Sequence, residues 1–271
     1  MGTPPKPPSL TDHYAQLARE RVGAWPAAPT AGELNELLRA LGRWRSRLIA
    51  NTFVVHHGPK IIGGPFAGMA YLDHATEGAL VPRLFGTYES ELHPHFAAIL
   101  AKGLDVIIDI GCAEGYYAVG FARIAPGLTV HARDIDPKAQ AECAALAERN
   151  GVADRVIVGG EFKPADFAAF EGLRALVLVD AEGAEVDILQ PGPALARMHI
   201  VVETHDLYRP GALVTLSERF SPTHDIVRVD QQAKVFDAPD WLKALPHLDQ
   251  LLAVWEWRAA PTPWLVMTPK A

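Results

Sequence analysis

The sequence predicts an α/β protein built on a mostly parallel, doubly wound sheet, and three observations carry that expectation. Val106–Ile110 is an apolar run that contains an acid and leads into Gly111-Cys112-Ala113-Glu114-Gly115, a strand entering a glycine turn ahead of a helix. Beyond it, apolar strand-like runs alternate with helix-like stretches as far as Glu203. The runs, with Ala175-Leu176-Val177-Leu178-Val179 the clearest, are continuously apolar, as strands covered on both faces are.

Taken in order, residues 1–10 are expected to be a loose tail, because Pro4, Pro5, Pro7 and Pro8 oppose a helix. Residues 11–100 read as an N-terminal helical and cap region, lying on the substrate side or forming a dimer contact. Within it Leu34, Leu37, Leu38, Leu41, Trp44 and Leu48 keep the three-and-four spacing of a helix face across Glu33–Ile49, with Arg43, Arg45 and Arg47 toward its C-terminal end. Between Phe53 and Tyr88, Gly58, Gly63, Gly64, Gly68, Gly78 and Gly86 lie among aromatic and β-branched residues, which predicts short strands and loops forming a hairpin cap.

A helix over Leu92–Leu100 leads into a domain of residues 101–271. Its expected strands are Val106–Ile110, Leu128–Asp134, Val156–Val158, Ala175–Asp180 and Ile200–Glu203. Helices are expected over Gly115–Ile124, Pro137–Asn150, Pro164–Phe170 and Ala184–Arg197. Asp225–Val229 and Trp264–Met267 supply the last strands, on either side of an insert at about 231–262 that holds Trp241, Trp255 and Trp257.

A chain of 271 residues that is 49% apolar can bury a large core. Its net charge of −7 and the absence of a Lys/Arg run argue against a nucleic-acid partner and weakly favour a neutral or cationic small molecule over a polyanion. Cys112 and Cys143 lack pair spacing, which argues against a disulfide scaffold or a thiolate zinc site and fits a cytoplasmic location. No apolar run reaches the ~18 residues of a membrane span, and no membrane partner is expected.

The glycine turn selects a ligand through its acids. Asp109 and Glu114 would repel a pyrophosphate and suit a cation, and S-adenosylmethionine is a cation without phosphate. Asp134 lies about 20 residues beyond the turn, at the position from which an acid reaches ribose hydroxyls, whereas Asp136 before Pro137 reads as a helix cap. Glu161 offers an acceptor for an adenine amino group and Phe162 a ring to stack on it, with a surface turn as the alternative.

Three segments together resemble class I S-adenosylmethionine-dependent methyltransferases: Asp109 to Tyr117, Arg133-Asp134-Ile135-Asp136-Pro137, and Val179-Asp180-Ala181-Glu182-Gly183-Ala184-Glu185. The last is similar to the Asp-Val-Glu-Gly-x-Glu signature of the FkbM-like branch. The resemblance spans roughly residues 86–206. It implies a Rossmann-like, seven-stranded sheet with a terminal antiparallel strand, and methyl transfer to a hydroxyl of a sugar or other small molecule. By position it implies that Asp109, Gly111, Ala113 and Gly115 line the methionine end, that Asp134 holds the ribose and that Glu161 faces the adenine, with Tyr116, Ile135, Phe162 and Asp180 also among the cofactor-binding residues. Ala181 departs from the usual β-branched residue, and Cys112-Ala113-Glu114 departs from the commoner Ala-Asn-x.

An alcohol acceptor has to lose its proton to a base or to a metal-bound oxygen. The candidates sit where the fourth and fifth strands end, in Asp180-Ala181-Glu182 and Glu203-Thr204-His205-Asp206. His205 is the expected base, with Asp206 able to orient it and Asp180 and Glu182 as further catalytic candidates. Alternatively Asp180, Glu182 and Glu203 bind Mg²⁺ through oxygen, and Glu182 and Glu185 are first-turn helix acids. Tyr88-Glu89 is expected to close over the cofactor's amino-acid end, with a helix start or a surface ion pair as equal alternatives. His56, His57, His93 and His95 are expected in loops or caps and not as metal ligands. The rival readings are an N-methyltransferase, a non-catalytic cofactor-binding subunit of a homodimer or larger assembly, and, disfavoured by Glu114, an NAD-dependent dehydrogenase.

Overall fold

The computed structural model describes residues 9–73 and 79–270. Helix α1 (Leu10–Gly23) starts at Ser9, whose hydroxyl accepts from the Asp12 amide while Asp12 reaches back to the Ser9 amide, so the expected tail ends at least two residues early. Helix α2 (Ala31–His57) is capped the same way by Thr30 and Glu33 and runs eight residues past the expected end. It buries Ala40, Ser46, Ile49, Ala50 and Phe53, while Leu34, Leu38 and Leu41 of the expected stripe remain 52%, 68% and 41% exposed. The core-facing stripe is therefore rotated toward small residues, which allow close packing on the rest of the protein.

The cap differs from the hairpin expected. Its described residues hold one isolated bridge, Lys60 to Ala70, and a short helix α3 (Leu80–Phe85); Gly78 lies outside the described residues. The segment is fixed by close packing: Phe66 covers Gly120, where a Cβ would approach its ring to 2.7 Å, and Asn150 bonds the amide and carbonyl of Ala70 at 3.0 and 2.9 Å. Its glycines serve such approaches more than they serve strand turns.

A 3₁₀ turn and helix α4 (His93–Leu100) precede the sheet. The strands are β1 (Val106–Ile110), β2 (Thr129–Arg133), β3 (Val156–Gly159), β4 (Ala175–Val179), β5 (His199–Glu203), β6 (His224–Val229) and β7 (Trp264–Pro269), in the order β3-β2-β1-β4-β5-β7-β6. All neighbours are parallel except β7, which runs antiparallel to both β5 and β6. The reversed strand is last in the chain, as expected, but lies inside the sheet and not at its edge. Helices α5 (Tyr116–Ile124) and α6 (Pro137–Arg149) connect the first strands, and Asp136 caps α6 through the Lys138 amide at 2.9 Å. Between β4 and β5 the expected helix shrinks to α7 (Glu185–Ile188) and a 3₁₀ turn over Leu195–Arg197, because Pro191-Gly192-Pro193 cannot continue it. The helix expected over Pro164–Phe170 is a 3₁₀ helix, and helices α8 (Ala212–Phe220), α9 (Asp240–Lys243) and α10 (His247–Ala253) complete the described elements.

Alternate strand residues feed two apolar layers. Ile107, Leu176, Leu178 and Val201 pack with α2, the cap and α5, whereas Ile108, Val177, Val179 and Ile200 pack with Phe167, Leu195, Leu216 and Phe220. Ile110 pairs with Arg133 on one side and Val179 on the other, which brings the ends of β1, β2 and β4 level. The chain leaves β1 toward β2 on one side and β4 lies on the other, so a crevice opens at this switch point.

Candidate active site

Two depressions meet at the ends of β1 and β4. One is bordered by Asp134, Ile135, Glu161 and Phe162, the other by Asp109, Glu114, Tyr116, Glu203 and His205; Gly111, Asp180 and Glu182 belong to both. Gly111 adopts a φ of 83°, and a Cβ on it would fall inside the carbonyl oxygen of Asp180. Only glycine allows the two strand ends to meet here. Among the described residues, the non-glycine residues with positive φ are Glu89, Ala113, Glu182 and Trp257. Three of them line the pocket and Glu89 is bonded to its wall, the clustering of backbone strain found at working sites.

Asp109 is 3% exposed and its Oδ2 finds no hydrogen-bond partner among the described residues. Burial, then the charges of Asp180 and Asp134, push its carboxyl up to about 8. Asp180 rises to about 7 through burial and the charge of Glu89, against the pull of His205 and Arg258. Glu114 behaves differently from the free acid expected: its Oε1 accepts from Arg83 at 2.9 Å and from the Tyr71 hydroxyl at 2.5 Å. It braces the turn to the cap, and Asp109 is left as the buried acid without a counter-ion among the described residues.

On the other side of Gly111, Asp134 accepts from the Ala113 amide at 2.9 Å and from the Asp136 amide at 2.8 Å, tying the glycine turn to the end of β2. Each of its oxygens keeps a lone pair for a hydroxyl. Ile135 is 81% exposed on the crevice wall. Glu161 pairs with Lys163 at 3.3 Å at the rim. Phe162 is buried, packs its ring edge-on to Phe167 and borders the crevice. Gly115 starts α5, and Tyr116 behind it is buried, its hydroxyl without a hydrogen-bond partner among the described residues.

His205 is held from behind. Its Nδ1 lies 2.6 Å from Oε1 of Glu185, which is fully buried and accepts the Gly183 amide at 3.0 Å. Asp206, the orienting residue expected, instead accepts from the amides of Gly211 and Leu213 at the start of α8. Glu185 is thus neither a simple first-turn acid nor a surface group. With Nδ1 committed, Nε2 faces Asp180 at 3.6 Å and Glu203 at 3.7 Å. Burial disfavours the imidazolium, but the Glu185 hydrogen bond and the charges of Asp180, Glu185 and Glu182 outweigh it and raise the His205 pKa. Glu182 is exposed and stands at the rim.

The far wall comes from the late insert, which contributes a residue with no local sequence signal. Arg258 binds Glu203, Glu89 at 2.5 Å and Glu256 at 3.1 Å. Glu256 also binds Lys234 at 2.7 Å, and Glu89 accepts the Tyr117 hydroxyl at 2.5 Å. Tyr88-Glu89 therefore belongs to a buried network and not to a surface pair. His57, set aside as a ligand, accepts from the Trp241 indole at 2.9 Å and serves packing.

No family model matches the sequence, and no curated protein sequence matches it. Among solved structures, the fold is similar to an O-methyltransferase from Bacillus cereus in complex with SAH (11% identity, 98% of this chain and 92% of that chain, TM-score 0.41). It is also similar to the O-methyltransferase TomG from Streptomyces achromogenes in complex with SAM (15%, 82% and 89%, TM-score 0.42). A human methyltransferase 10 domain containing protein gives 11% identity, 84% and 96% coverage and a TM-score of 0.47. Among the described residues no helix is long and apolar enough to cross a membrane.

Proposed function

We propose that the protein is an S-adenosylmethionine-dependent methyltransferase that acts on a hydroxyl oxygen of a small molecule. The observation that carries this reading is the joint at Asp180, where a crevice walled by Asp109, a buried carboxyl with no counter-ion among the described residues, meets a histidine fixed by a buried glutamate. A cation lacking phosphate suits the first half, and a proton-abstracting group suits the second. The FkbM-like segment Val179–Glu185 supports the same reading from the sequence side.

Asp109 and Asp180 would take the ammonium end, Asp134 the ribose, and Ile135 with Phe162 the adenine. The cofactor supplies an activated methyl group. The chain's own work is to exclude water, to align an acceptor oxygen, which is worth up to about 7–11 kcal/mol in favourable cases, and to remove its proton. His205 removes that proton at Nε2, because Glu185 keeps the ring oriented and balances the charge that develops. Asp180 and Glu203 then stabilise the imidazolium.

The same three groups, Asp180, Glu203 and His205, have ligand atoms within 4.8 Å of one another. Mg²⁺ suits them poorly: it prefers oxygen throughout, and Glu203 Oε1 already takes Arg258 and the Thr262 hydroxyl. We therefore expect turnover to survive EDTA treatment. Calorimetry with S-adenosylmethionine and S-adenosylhomocysteine tests the core of the proposal. Micromolar binding is expected; no binding of either would overturn it. His205→Gln should then retain cofactor affinity and lose roughly 10²–10⁴-fold in turnover.

A further inference from the structure

Three arginines line the depression that holds His205, and two are already neutralised: Arg83 by Glu114, and Arg258 by Glu89, Glu203 and Glu256. Arg43 is different. It reaches the pocket from α2, is exposed, and among the described residues makes no salt bridge in a chain where acids outnumber Lys and Arg by 32 to 25. Its guanidinium instead lies 5.5 Å from the ring centroid of Trp257, and Arg47, one turn on, lies 5.6 Å from the same ring.

Two like charges at i and i+4 over one indole repel each other, and among the described residues neither makes a salt bridge to offset that cost. Trp257 adopts a φ of 64°, a strained conformation for a bulky residue, and its buried indole N–H has no acceptor among the described residues. A stacked guanidinium keeps its planar fork free at the edge, the geometry that grips a carboxylate or phosphate through two parallel hydrogen bonds. Anion-binding capacity is thus concentrated at Arg43 in a pocket that Asp109, Asp180 and Glu203 also line.

We propose that Arg43, backed by Arg47 and Trp257, receives an anionic oxygen group of the methyl acceptor, so that the substrate is a hydroxylated acid or phosphate ester. The inference rests on the methyl-transfer reading of this pocket. It departs from the preference for a neutral or cationic acceptor drawn from net charge, because net charge averages the whole surface while the acceptor meets one wall. The acids orient the other end: an anion held at Arg43 is repelled by Glu203 and Asp180, which leaves a hydroxyl as the group that faces His205.

The test is calorimetric titration of benzoate, phenyl phosphate and neutral benzamide into the protein, with and without saturating S-adenosylhomocysteine. At least one anion should bind saturably and roughly tenfold or more tighter than benzamide, and the stronger of the two identifies carboxylate or phosphate as the group. That preference should fade with added salt, vanish in Arg43→Ala/Arg47→Ala, and persist in part in Arg43→Lys, which keeps the charge but not the fork. Unchanged affinity for S-adenosylhomocysteine would show the double variant to be folded. Equal binding of anion and amide, no binding of either, or a preference that survives the double variant overturns the proposal. A protein that binds S-adenosylhomocysteine but ignores the anions keeps the methyl-transfer reading and loses this one. Failure to bind S-adenosylhomocysteine, even with anions captured at Arg43, removes the acceptor role together with the methyl-transfer reading.

Discussion

Asp109 holds a proton in the folded chain at a pH where it would have lost it in water, since its carboxyl is pushed up to about 8. Between its ordinary value near 4 and that value the native state binds more protons than the unfolded state, so stability contributed at low pH is lost as pH rises. His205, raised from 6.5, acts in the same direction, its contribution being lost as pH rises through the folded value. A bound ammonium group reverses this by favouring the carboxylate. The thermal midpoint of the free protein should therefore fall from pH 5 to 8, and the upward shift given by S-adenosylhomocysteine should grow over the same interval. Turnover should also rise with pH through a value above 6.5, because His205 must be neutral to accept a proton. Glu185→Gln should lower that value and cut turnover at least tenfold while leaving cofactor affinity in place, a split readable in a pH–rate profile. Asp109, Asp134, Asp180 and His205 were legible because each ends a strand in a recognisable local order. The assignment of Glu185 in place of Asp206 was not, because hydrogen-bond partnership across 20 residues leaves no local pattern.

Among the elements, the parallel strands were legible to within a residue or two: β1, β4 and β5 are buried on both faces, which favours apolar runs, and β2 and β3, partly exposed, were legible from their place between helices. The cap and the β4–β5 connection were misjudged for a shared reason: glycine and proline mark a departure from regularity without saying what replaces it. Gly63, Gly64 and Gly86 permit backbone contact within the cap, and Pro191-Gly192-Pro193 ends a helix that composition favoured. Gly111 tests how tightly element ends are coupled. Gly111→Ala places a methyl group against backbone that cannot rotate aside, so β1 and β4 must separate. The expected result is loss of measurable S-adenosylhomocysteine binding in calorimetry together with a lowered thermal midpoint; retained affinity would show that the crossover adapts.

At the scale of the molecule, α2 ties the N-terminal region to the late insert. Arg45 grips Asp249 through two hydrogen bonds, of 2.7 and 2.5 Å, and Gly42 lets the Trp255 ring approach the helix. Because Arg45 is partly exposed and water screens it, Arg45→Ala should cost only about 1–2 kcal/mol in denaturant unfolding. Phe53→Ala, in the fully buried centre of the same helix, should cost about 3–5 kcal/mol.

The position of β7 sets an order on biogenesis. While the nascent chain is still short of residues 264–269, β5 has a bare edge and β6 has no neighbour. The parallel half of the sheet can assemble during translation, but its growing edge is an invitation to pair with another polypeptide, a hazard that a ribosome-associated chaperone would have to mask. Arg258 and Thr262 emerge just ahead of β7, so the carboxylates at the site gain their counter-charge at about the moment the edge closes. Competence for chemistry and protection from aggregation are thus acquired together, as β7 is made.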